Sequence, residues 1–67
     1  MTLSEIIKAV NFGLKVYFRS TEMVVKTDKD QCRYWIEHIN GQSMPLECGQ
    51  GYITWLNGDE SEYFTND

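Results

Sequence analysis

The chain has 67 residues, of which 42% are hydrophobic, 13% aromatic and 24% charged, with a formal net charge of −4. A chain this short supports one small core, so we expect a single domain over residues 1–67, and its composition is too hydrophobic for a disordered segment. No apolar run reaches the ~20 residues that span a bilayer, and the N-terminus lacks the basic flank and apolar block of a signal peptide, so we expect a cytoplasmic protein.

An N-terminal helix is predicted over residues 3–12. Thr2 and Glu5 have the spacing of a capping box, in which each side chain accepts a hydrogen bond from the backbone N–H of the other residue. Gly13 is suited to a left-handed C-cap. One apolar face follows the spacing of an amphipathic helix, through Leu3, Ile6, Ile7, Val10 and Leu14.

After Gly13 the hydrophobic pattern changes to the alternation that is typical of β-strands. A first strand is predicted over 14–19, followed by a short connection at 20–22 and a polar turn at 28–31. A bend is expected at 49–51. The other predicted strands are 23–27, 32–39, 52–56 and a last edge strand at 63–64.

Two further signals concern the connections between the later strands. Asn40-Gly41 is the favoured dipeptide of a type I′ hairpin turn, which Gln42 and Ser43 would lengthen if they join the loop. Asn57-Gly58 gives a second turn signal. Pro45 has no backbone N–H, so its segment should lie at a sheet edge or in an irregular stretch.

These elements predict an α+β fold, in which one helix packs on one face of a small twisted antiparallel sheet of three to five strands. Phe18 and Ile36 should lie on the strand face that meets the apolar stripe of the helix. We therefore expect both of them in the core.

The chain also resembles short uncharacterised bacterial and prophage-type proteins between Glu5 and Leu46. The resemblance rests on the helix, the Gly-Leu-Lys-Val-Tyr-Phe step after it, the alternating strand around residues 34–39 and the Asn-Gly turn. It implies a small accessory protein rather than an enzyme, and it carries over no functional residues.

Charge is distributed unevenly along the chain. All six Lys and Arg residues lie within the first 33 positions, whereas residues 34–67 contain six acids and no Lys or Arg. Residues 1–33 therefore carry a formal charge of +2 and residues 34–67 one of −6.

The acidic half suggests a surface that binds a protein partner with a basic face, including one that normally holds DNA or RNA. Small phage-type inhibitors of host nucleic-acid machinery use such patches. The alternative is a solvated turn and tail that keeps an edge strand soluble. The candidate partner-binding residues are Glu47, Tyr52, Trp55, Asp59, Glu60, Glu62 and Tyr63, with Asp67 close by in sequence.

Cations and aromatic rings alternate on the opposite face of the first strands. Single-stranded nucleic acid is often held by such faces, through stacking on rings and pairing of phosphates with Lys or Arg. The alternative is an ordinary solvated sheet face, and the net charge of −4 opposes a polyanion. The residues concerned are Lys15, Tyr17, Arg19, Val24, Lys26, Arg33 and Trp35.

Signals for catalysis and for metal binding are weak. His38 stands alone, and Ser43 and Ser61 fall in predicted loops without a nucleophile elbow. Cys32 and Cys48 could form one disulfide, but small secreted scaffolds usually carry four or more cysteines, so we expect two buried thiols. We therefore predict no enzyme, no cofactor and no metal site.

The aromatic content points to an interface. One helix can cover only one face of a sheet, and two Trp with four Tyr exceed what a core of this size needs. A homodimer that buries the open sheet face would explain the excess, and so would a heterologous partner.

Overall fold

The chain folds as one N-terminal helix on an antiparallel sheet of five strands, with a second sheet of two strands. This computed structural model describes residues 1–28, 30 and 33–65. The predicted α+β class is confirmed. The elements are α1 (Leu3–Phe12), β1 (Val16–Phe18), β2 (Ser20–Asp28), β3 (Arg33–His38), β4 (Ser43–Pro45), β5 (Glu47–Gln50), β6 (Ile53–Leu56), a 3-10 helix (Glu60–Glu62) and β7 (Tyr63–Thr65).

Helix α1 has the predicted bounds and both predicted caps. The Thr2 hydroxyl accepts from the Glu5 N–H at 3.2 Å, and the Glu5 carboxylate accepts from the Thr2 N–H at 2.9 Å. Because this hydrogen bond favours the ionised carboxyl, the pKa of Glu5 is lower than its ordinary value. At the other end Gly13 has φ 100° and donates its N–H to Val10.

The larger sheet has the strand order β4-β3-β2-β1-β7, and its inner face packs against α1. Phe18 and Ile36 are buried on that face, as predicted. The two edge strands are also confirmed, since β4 contains Pro45 and β7 begins at Tyr63. The buried core consists of Ile6, Val10, Val16, Phe18, Val25, Ile36, Leu46 and Tyr63.

The connection between β1 and β2 differs from the prediction. A three-residue link was expected at 20–22, but the chain reverses at Arg19, whose φ is 65°, and β2 begins at Ser20. The Arg19 N–H donates to the Glu62 carbonyl at 2.8 Å, which holds this left-handed residue in place. Residues 21–23 form a bulge, because the pairing passes from Tyr17 opposite Val24 to Phe18 opposite Ser20.

The later hairpins also correct the predicted turns. Gly41 has φ 94° and Asn40 has no positive φ, so the predicted type I′ turn is wrong and a three-residue loop ending in Gly41 joins β3 to β4. A bend was expected at 49–51, but Gly49 and Gln50 lie in β5. The turn consists of Gly51 and Tyr52, which connect β5 to Ile53 of β6. Two expected features, Cys32 and part of the 28–31 turn, lie outside the described residues.

Replacing Phe18 by Ala should lower the free energy of unfolding by roughly 3–5 kcal/mol, which is most of the stability of a small domain. The matched control is Phe12→Ala, because the Phe12 ring is 84% exposed on the helix and its loss should change stability by less than ~0.5 kcal/mol. Urea unfolding of both variants measures the difference. Equal midpoints for Phe18→Ala and the parent protein would mean that the sheet faces are inverted.

Candidate functional site

The hairpin formed by β5 and β6 exposes three large apolar side chains. Tyr52 at its turn is fully exposed, Ile53 is 70% exposed and Trp55 is 50% exposed. Residues two apart in a strand project from the same face, so Ile53 and Trp55 share one side of the hairpin. We call Tyr52, Ile53 and Trp55 the hairpin surface. Sequence reasoning missed Ile53, although its alternation with Trp55 was the signal that could have identified it.

The acidic candidates that follow the hairpin have structural roles. Asp59 caps the 3-10 helix by accepting the Ser61 N–H at 3.1 Å, and Glu62 forms an ion pair with Arg19. Glu60 is exposed, and its backbone carbonyl accepts a hydrogen bond from the N-terminal amine at 2.6 Å. Asp59 and Glu60 therefore remain available as exposed charges, whereas the charge of Glu62 is compensated.

Tyr63 is a core residue, which corrects its place among the surface candidates. Its side chain is 2% exposed, and its ring lies 4.7 Å from that of Phe18. The hydroxyl donates to the Asn57 carbonyl at 2.6 Å. Burial, followed by the negative charge of Glu62, raises the pKa of Tyr63 to about 12.

The sheet face opposite α1, which we call the outer face, brings most of the predicted basic and aromatic candidates together. Tyr17 lies opposite Val24 and Phe64, and Lys26 lies opposite Trp35. The rings of Tyr17 and Phe64 are 5.6 Å apart. The side chains that alternation assigns to this face are Tyr17, Val24, Lys26, Asp28, Arg33, Trp35, Glu37, Ser43, Pro45 and Phe64.

Charges of both signs lie on the outer face, which is less basic than the sequence suggested. Arg33 lies opposite Asp28, and Glu37 lies opposite Val24. Arg19 is turned toward Glu62, and its guanidinium lies 4.7 Å from the centre of the Phe18 ring. Arg19 was predicted to belong to the basic nucleic-acid face and Glu62 to the acidic partner-binding surface, but in the structure the two side chains pair with each other. Lys15 is exposed just before β1.

An open cleft of about 460 Å³ lies where β3 and β4 approach the start of β5. It combines Glu47 from the predicted acidic set with Arg33 and Trp35 from the predicted basic set. Tyr34 and Pro45 complete its lining. A cation, a carboxylate and an indole in one cleft can bind a ligand that carries both charge and a flat ring.

The remaining chemistry-bearing side chains do not form a larger cluster. His38 Nε2 lies 3.5 Å from a Glu22 carboxylate oxygen, and Nδ1 accepts the Asn40 N–H at 3.1 Å. Cys48 was expected to be a buried thiol, but its side chain is only half-buried. Within the part of the chain that the structure describes, no three His, Cys, Asp or Glu side chains are arranged to hold a metal ion.

Comparison of the chain with protein-family models, with curated proteins and with solved structures gives no match. Among residues 1–28, 30 and 33–65, no helix is long and apolar enough to cross a membrane. The resemblance to prophage-type proteins stays an expectation, and function is inferred from the exposed surfaces.

Stability should fall at alkaline pH because the native state holds the Tyr63 proton more tightly than the unfolded chain does. The pKa of Tyr63 rises from 10.0 to about 12 on folding. Its contribution to the free energy of unfolding is therefore complete below pH 10 and is lost as the pH rises to 12. We expect a loss of roughly 2–3 kcal/mol over that interval.

Tyr63→Phe should remove this pH dependence and cost roughly 1 kcal/mol at neutral pH, because the Asn57 carbonyl loses its donor. Tyr52→Phe is the control, since that ring is fully exposed and makes no such bond. Chemical denaturation of the three proteins across alkaline pH gives the comparison. An identical alkaline loss in Tyr63→Phe and the parent would assign the effect to other groups.

Proposed function

We propose that this protein is a non-enzymatic interaction module that binds a basic surface of a partner protein through the hairpin surface. The observation that carries the proposal is the exposure of Tyr52, Ile53 and Trp55 on one two-stranded hairpin. Tyr and Trp are enriched at the centres of protein interfaces, because they bury large areas and keep a polar atom for hydrogen bonding.

The charge of the same part of the chain supports a basic partner. Residues 34–67 contain six acids and no Lys or Arg, and Glu47, Asp59 and Glu60 are exposed. Exposed acidic groups accelerate association with a basic surface and disfavour acidic partners. Such charges contribute to specificity and to the association rate more than to affinity.

The partner class that fits this chemistry is a protein whose basic surface normally holds DNA or RNA. Covering that surface would inhibit or regulate nucleic-acid binding in the cytoplasm. The resemblance to prophage-type proteins supports a phage or prophage origin for such a regulator.

A second candidate is binding of single-stranded nucleic acid at the cleft. Trp35 and Arg33 line it together, so a base could stack on the indole while its phosphate pairs with the guanidinium. Glu47 lines the same cleft, and Asp28 lies opposite Arg33, so nearby carboxylates oppose a polyanion. The protein-binding proposal is therefore preferred.

Binding can be measured against immobilised synthetic peptides that share their apolar residues and differ only in charge. We expect the protein to bind the Lys- and Arg-rich peptides, with affinity that falls as salt rises. Trp55→Ala should weaken this binding roughly 30-fold, the loss typical of a central aromatic residue. Phe12→Ala should leave it unchanged, because Phe12 is also exposed but lies on the helix and outside the hairpin surface.

Equal binding to basic and acidic peptides, or an equal loss in Trp55→Ala and Phe12→Ala, would contradict the proposal. A parallel titration with fluorescent single-stranded DNA separates the two candidates. Tight, salt-sensitive binding that Arg33→Glu abolishes and Trp55→Ala does not would favour the nucleic-acid function.

A further inference from the structure

The outer face carries aromatic side chains that the helix does not cover. Helix α1 packs on the other side of the sheet, where Ile6 and Val10 join the core. Tyr17, Trp35 and Phe64 on the outer face stay only partly buried. Aromatic rings grouped on an uncovered sheet face are typical of a surface that is buried in an assembly.

Charges on this face are separated along the strands. Lys26 and Trp35 form one cross-strand row, and Val24 and Glu37 form the next row along the same strands. On the other side of the Lys26 row, Asp28 and Arg33 lie opposite each other, so their charges offset. Lys15, which is exposed just before β1, lies on the Lys26 side of Tyr17. The face therefore has a lysine end and a glutamate end, with the aromatic side chains between and beside them.

This pattern is complementary to itself in one orientation. A two-fold axis in the plane of the interface and perpendicular to the strands reverses their direction, so it places the lysine end of one face over the glutamate end of the other. An axis parallel to the strands would bring lysine onto lysine. The charges thus select the first arrangement over the second.

We infer that a second copy of this chain covers the outer face, forming a symmetric dimer in which the strands of the two sheets run in opposite directions. Lys26 of each copy then lies near Glu37 of the other, and this pairing occurs twice across the axis. Tyr17, Trp35 and Phe64 supply its aromatic contacts. This interface shares no residue with the hairpin surface, so it does not use the residues proposed to bind the partner.

A stable dimer interface buries about 800 Å² on each partner, which is about one sixth of the 4810 Å² that the chain exposes. Two facing sheets pack about 10 Å apart with their strands about 30° from alignment, which leaves room for lysine and glutamate side chains to meet across the gap.

Charge reversal tests the arrangement by sedimentation equilibrium. Lys26→Glu and Glu37→Lys should each weaken dimerisation about tenfold or more, because each substitution places two like-charged pairs across the axis. An equimolar mixture of the two variants should restore dimers as mixed species, since every pair is again of opposite sign. The double variant Lys26→Glu with Glu37→Lys should also dimerise with itself.

Lys8→Glu is the matched control, because it reverses an exposed lysine on the helix and should leave the dimer unchanged. Circular dichroism of each variant shows that the monomers remain folded. A parent protein that stays monomeric would overturn the inference. Dimers that tolerate both single reversals, or single variants that fail to recombine in the mixture, would also overturn it, since another surface would then hold the two copies together.

Discussion

The Phe18 ring lies where separate parts of the chain meet. The ring of Tyr63 from the C-terminal strand packs 4.7 Å away, the Arg19 guanidinium lies over it, and Gly58 approaches so closely that an added Cβ would be 2.9 Å from the ring. Successive residues of a strand point to opposite faces, so the burial of Phe18 directs Tyr17 outward, and the pairing of β1 with β7 directs Phe64 outward beside it. The packing that forms the core therefore also creates the aromatic outer face.

A single ten-residue helix limits what this fold can bury. It covers the inner face of the sheet and leaves the outer face and the hairpin surface uncovered. They differ in symmetry. The outer face carries Lys26 and Glu37 in successive rows along its strands, beside an Asp28–Arg33 row whose charges offset, which suits a second copy of the same chain. The hairpin surface lies in the half of the chain that has no Lys or Arg, which suits a different, basic partner. The two proposals therefore use different surfaces and can hold together.

Features fixed by neighbouring residues were predictable from the sequence. The helix bounds follow from Thr2, Glu5 and Gly13, and the inward side of Phe18 follows from strand alternation.

Features that depend on residues distant in the sequence could not be predicted from it. Arg19 was assigned to a free basic face, but it pairs with Glu62, which lies 43 positions later. Tyr63 was assigned to the surface. In the structure its hydroxyl donates to the Asn57 carbonyl, which allows the ring to be buried, and the sequence pattern does not show this hydrogen bond. The Asn40-Gly41 dipeptide is compatible with a two-residue or a three-residue loop, and the structure has the three-residue loop.

The most direct test of this account is isotope-filtered NMR on a mixture of labelled and unlabelled protein, which detects contacts between copies only. The account predicts intermolecular contacts from the aromatic protons of Tyr17, Trp35 and Phe64, and none from Phe18 or Ile36. Contacts that arise only from Tyr52, Ile53 and Trp55 would place the dimer on the hairpin instead. Intermolecular contacts from Phe18 or Ile36, or the absence of any contact between copies, would contradict the claim that burying Phe18 leaves an outer face for a second copy.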